Sequence, residues 1–127
     1  MTPETENYLG KAREFLAKAK DMLADDWPDE AARAAYLAGF HAAQSFILAH
    51  SGRVAKSHSG LRSSFARLAR DEPRLDRTFT RFLARAYKFK EIADYGVGPQ
   101  AVVTMTDAQE MIDIAARFIG RIAEILG

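Results

Sequence analysis

Arg53-Val54-Ala55-Lys56-Ser57-His58-Ser59-Gly60-Leu61-Arg62-Ser63-Ser64-Phe65 lies mid-chain, between two segments of helical periodicity. It holds Arg53 and His58 at an Arg-x4-His spacing. Two further cations, Lys56 and Arg62, and small serine and glycine residues leave room around the histidine. Ser57 suits the cap of a short helix over about His58 to Arg70, with Leu61, Phe65, Leu68 and Ala69 as its buried side. Pro73 stops that helix, because the residue before a proline is pushed out of the helical region.

The same periodicity extends outward on both sides. Ala32, Ala35, Tyr36, Phe40, Ala43, Phe46 and Ile47 recur at steps of three and four, which predicts a helix over about Pro28 to His50. Its alanines and Gly39 imply close approach of a neighbour, and Gly52 fits a left-handed terminus. After the central stretch, Leu75, Phe79, Phe82, Leu83, Ala86, Phe89 and Ala93 predict a helix over about Arg74 to Asp94. An outer helix is expected over Thr5 to Ala24. Asp26 is then a candidate cap for the next helix, and Trp27 a packing anchor at the junction. The last helix is expected to start at Thr106, with Gln109 completing a capping box. The expectation is an all-α, up-and-down four/five-helix bundle, a single domain over residues 1–127.

The totals exclude several classes of function. The chain has no cysteine, so disulfides and thiolate metal sites are ruled out. The three histidines have no i, i+4 His or Glu partner, so no metal is expected. Neither a Gly-x-Gly-x-x-Gly nor a Walker loop is present, and no cofactor is expected. No apolar run nears the ~20 residues that span a bilayer. The opening Met1-Thr2-Pro3-Glu4-Thr5-Glu6 is acidic and unlike a signal peptide. A cytoplasmic protein is the expectation. Net charge is +1, but Arg53 to Lys90 carries eleven Lys or Arg against three acids, and the remainder is acidic. The basic middle is either an anion-binding face or a segment packed beside acidic helices of its own bundle.

Tyr36-Leu37-Ala38-Gly39-Phe40-His41, then Lys56-Ser57-His58-Ser59-Gly60, then Lys90-Glu91-Ile92-Ala93-Asp94-Tyr95, in this order, resemble the prokaryotic HEPN-domain proteins. The resemblance implies a small helical bundle that dimerises, here a homodimer. It implies occurrence beside a minimal nucleotidyltransferase in toxin–antitoxin-like pairs. It also implies metal-independent endoribonuclease activity through an Arg-x4–6-His motif, which Arg53 and His58 match. Two positions depart from the pattern. Val54 follows the arginine where the active motif has a polar residue, and Lys90 stands where the closest subgroup has arginine.

The candidate catalytic residues are therefore His58 and Arg53. An imidazole near its ordinary pKa trades protons at neutral pH, and a cation offsets the charge that builds on phosphate. Lys56, Ser57, Lys90, Asp94 and Tyr95 are candidate ligand-binding residues for RNA or a nucleotide. Each has a plainer alternative. His58 would then only bond a neighbouring segment, Lys90 and Asp94 would pair across one helical turn, and Tyr95 would pack on the rim of the core. Arg74, Arg77, Arg81, Arg85 and Lys88 form one stripe. It is either a phosphate track, a solvated face or a dimer contact. A non-enzymatic module that binds a nucleotidyltransferase or a nucleotide in the same cleft is the alternative function.

Overall fold

The computed structural model describes residues 1–99 and 101–127. It contains five helices: α1 (Pro3–Ala24), α2 (Pro28–Ser51), α3 (His58–Ala69), α4 (Arg77–Tyr95) and α5 (Met105–Leu126). No strand occurs among the described residues. The all-α bundle expected from periodicity is what forms.

Helix α2 is the axis of the fold and touches each of the other four. Its sequence allows this, because Ala31, Ala32, Ala34, Ala35, Ala38, Ala42 and Ala43 are buried and let neighbours approach on all sides. At Gly39 the approach is closest. A β-carbon there would collide with the ring of Phe82 on α4. The core is aromatic at its centre. Phe118 of α5 meets Phe65 of α3 at 5.2 Å and stacks on Phe79 of α4 at 5.0 Å. Each such fully buried ring contributes about 1.5–3 kcal/mol by leaving water. Ser45, fully buried on α2, donates to the Thr5 carbonyl on α1 at 2.8 Å.

Local signals set the helix ends, and three of them differ from expectation. Ser57 caps α3 as predicted, accepting from the Gly60 N–H at 3.0 Å, and Gly52 closes α2 at φ +71°. Helix α4 starts at Arg77 and not near Arg74, because Asp76 accepts from the Thr78 N–H at 2.7 Å and fixes the first turn there. Arg74 instead pairs with Glu72 at 2.6 Å. Helix α5 is capped by Thr104 in a reciprocal box with Asp107, not by Thr106, and Gln109 bonds Asp113 at 2.9 Å. Asp26 does not cap α2. It takes a left-handed φ of +63°, and Trp27 occupies the cap position without a side-chain bond. Trp27 is 59% exposed, so it is not a packing anchor.

Between α2 and α3 the chain doubles back along α2. Arg53 N–H donates to Ser51 Oγ at 3.2 Å, the Gln44 amide donates to the Ala55 carbonyl at 2.8 Å, and His58 then reaches Tyr36. Three successive ties to α2, each lower on the helix, lay residues 52–57 antiparallel to it.

Candidate functional site

The doubled-back loop delivers His58 to a polar cluster where α2, α3 and α4 meet. Nδ1 of His58 lies 2.7 Å from the Tyr36 hydroxyl. Its ring packs within 5.1 Å of Phe40 and 5.3 Å of Tyr87. One helical turn after His58, Arg62 lays its guanidinium over the Tyr87 ring, 4.3 Å from its centroid. Lys90, one turn beyond Tyr87, bonds Asp94 at 2.7 Å, and Asp94 also accepts from Arg33 Nε at 2.8 Å. The site is thus three aromatic rings, a histidine and three cations, closed on one side by Asp94 and Glu91.

The electrostatics follow from this crowding. Burial pushes the Tyr36 phenol up to about 12, against the pull of the neighbouring Arg62 charge. The same desolvation, with the charges of Lys90 and Arg62, holds His58 below its ordinary value. Its imidazole is therefore neutral at neutral pH. Lys90 is raised by its bond to Asp94, and Asp94 is lowered by the same bond. A Glu91 carboxylate beside the Tyr87 hydroxyl raises that phenol.

Arg62 is the member with unused capacity. Its Nη1 is buried and has no hydrogen-bond partner among the described residues. Buried polar atoms nearly always find a partner; the Tyr36 hydroxyl oxygen is the acceptor beside this guanidinium, without the geometry of a full bond to Nη1, and a ligand oxygen would complete it. No group of three or more His, Asp or Glu among the described residues is gathered as a metal cage.

The residues named from sequence divide into two groups. His58, Lys90 and Asp94 come together, and Ser57 stands beside them as the cap of α3. Arg53 does not join them through any bond. It is exposed, and only its backbone is tied, to Ser51. Ser51 and Tyr36 are fifteen residues apart on α2, so the anchor of Arg53 and the anchor of His58 differ by about 22 Å of helix rise. Lys56 is exposed on the loop and makes no ion pair among the described residues. Tyr95 is 74% exposed and does not pack on the core rim.

Four members of the cluster carry no site assignment from the sequence: Arg33, Tyr36, Arg62 and Tyr87. Arg62 and Tyr87 had a usable signal, each lying one helical turn from a residue already singled out. Surface hollows of about 390 to 520 Å³ lie elsewhere, lined by other residues.

Comparison with known proteins bears on the family and the fold. The family model described as "HEPN domain" matches residues 5–126. The UPF0332 protein glr0978 of Gloeobacter violaceus (strain ATCC 29082 / PCC 7421) is 31% identical over 126 residues, covering 99% of this chain and 98% of that protein. The crystal structure of TT1696 from Thermus thermophilus superposes with a TM-score of 0.81 at 24% identity, over 97% of this chain and 98% of that one. This last likeness is one of fold.

Proposed function

The chain belongs to the HEPN domain family, and on that premise we propose that its His58 cluster binds the phosphate and base of RNA or a nucleotide, as one component of a toxin–antitoxin-like pair. The observation that carries the reading is the buried, unpartnered Nη1 of Arg62 beside a neutral imidazole and the Tyr87 ring. A phosphate oxygen satisfies the guanidinium, and Arg is the side chain best shaped for it. Lys90 adds charge from α4, and Tyr87, half-buried where Tyr36 and Phe40 are buried, is the ring a base can reach.

In this reading the cluster is also a metal-independent endoribonuclease. Attack of a 2′-hydroxyl on phosphate needs a group to move a proton and a cation to hold the charge that develops. His58 is the proton carrier. Within one chain the cation beside it is Arg62, with Lys90, and not Arg53. Cleavage of total RNA by the wild type and by His58→Ala is the test. Activity that is equal and negligible in both removes the ribonuclease.

The alternative is a non-enzymatic module that holds a minimal nucleotidyltransferase or a nucleotide at the same face. Asp94, already spent on Lys90 and Arg33, favours it, because the ion cluster is partly neutralised without any ligand. Co-purification with the protein encoded next door supports this version. A homodimer belongs to both readings, and sedimentation of the purified chain tests it.

A further inference from the structure

Helices α3 and α4 run antiparallel, with His58 and Arg62 beside the Tyr87–Lys90 turn at one end and Arg70 beside Arg77 at the other. At that second end lies a hollow of about 390 Å³ lined by the small side chains Ala66, Ala69 and Thr80, by Arg70 and Arg77, and by the carboxylates of Glu72 and Asp76. Neither arginine makes an ion pair among the described residues, and both are exposed. The acids nearby are already engaged. Glu72 is held by Arg74 at 2.6 Å, and Asp76 caps α4 within reach of the Arg117 and Arg121 charges.

The row of cations seen in the sequence on helix four is not one surface. Arg85 leans onto α5, bonding Glu110 at 2.7 Å with Asp107 at 3.8 Å. Arg77 instead lines the hollow between the end of α3 and the start of α4. It lies thirteen residues before Lys90 on α4, about 20 Å of helix rise. That is the reach of a few nucleotides of single strand.

We infer that the seam between α3 and α4 is a track for single-stranded RNA, running from the His58 cluster to a second phosphate-binding end formed by Arg70 and Arg77. This rests on the nucleic-acid reading of the His58 cluster and extends it. The small side chains let the backbone lie close, and cations at both ends fix its direction. Tyr87 offers a base a ring at the first end only, so the second end binds phosphate without regard to sequence.

The test uses the full chain and fluorescent oligouridylates of about three and about ten nucleotides, measured by anisotropy over a salt series. The longer oligomer is expected to bind at least about tenfold tighter. Arg70→Gln with Arg77→Gln removes that advantage, leaves trinucleotide binding within twofold, and lowers the slope of log affinity against log salt by roughly 1.4, two single-strand phosphates' worth. A double variant with the wild-type affinity and slope overturns the track, while trinucleotide binding that Arg62→Ala abolishes keeps the cluster. If neither oligomer binds the wild-type chain, cluster and track fall together. Competition by a polyglutamate peptide as effective as RNA reassigns the seam to an acidic protein segment and overturns the proposal.

Discussion

The Tyr36 hydroxyl lies 2.7 Å from Nδ1 of His58. Because the phenol stays protonated up to about 12 and its oxygen faces the Arg62 charge, we assign the phenolic proton to this bond. Nδ1 then accepts, and the neutral ring carries its own proton on Nε2. In this state His58 offers a ligand a donor at Nε2, and it takes up a 2′-hydroxyl proton only when Nδ1 is released from Tyr36. Tyr36→Phe removes the constraint and leaves Nδ1 without its partner. The expected outcome is a mixture of ring tautomers in nitrogen-detected NMR and a stability loss of about 1–2 kcal/mol in denaturant unfolding. A single unchanged tautomer refutes the assignment.

Protonation of His58 is linked to folding. Its pKa in the folded chain is below 6.5, and that of His41 is lowered too, in both cases mainly by burial. The unfolded chain therefore binds more protons as the solution is acidified. Stability is fully present above 6.5 and is lost as pH falls from there through the folded values. The depressed carboxylates, such as Asp94 and Glu110, titrate below this window. Denaturant midpoints between pH 7.5 and 5 should fall for the wild type, and fall less for His58→Gln.

Arg62 and Arg53 make opposite predictions. Arg62→Ala empties the cation position over Tyr87 and should weaken RNA or nucleotide binding at least about tenfold, the scale of one lost charge-assisted bond. Arg53→Ala should change it less than twofold, as its side chain has no partner in the cluster. Titration of both variants with one labelled oligonucleotide decides between them. A larger loss at Arg53 would mean that the cluster is completed by a second chain.

Gly39→Ala should destabilise the fold by about 1–3 kcal/mol, since the new methyl group meets the Phe82 ring. Phe82 is 2% exposed and packs edge-on to Phe118, so it has little room to yield. Adding Phe82→Leu should recover part of the loss. Thermal unfolding of the wild type and both variants measures it.

What could be read from sequence was what repeats locally. The apolar steps of α1, α2, α4 and α5 are imposed by one core, and they gave helix type directly. Lys90 and Asp94, four apart, were legible as a pair because helix geometry alone brings them together. Helix ends were harder. Thr104 and Thr106 are both credible caps, and only the reciprocal bond to Asp107 selects the first. The partnership of Tyr36 with His58 was hidden, since it depends on the path of the intervening loop. Within one chain the Arg-x4-His spacing does not bring the two side chains together, for the same reason. On an extended segment, five residues carry two side chains apart and not onto one face.

That loop is pinned where Gln44 grips the Ala55 carbonyl, with the other side of its amide held by His41 at 2.8 Å. The clasp lies between Arg53 and His58 and divides the connection into slack and taut halves. Extra residues inserted after Gly52 would bulge into solvent upstream of the clasp and leave the imidazole in register. The same insertion after Ala55 would slide the start of α3 past Tyr36. Length variation among relatives should therefore gather on the Arg53 side.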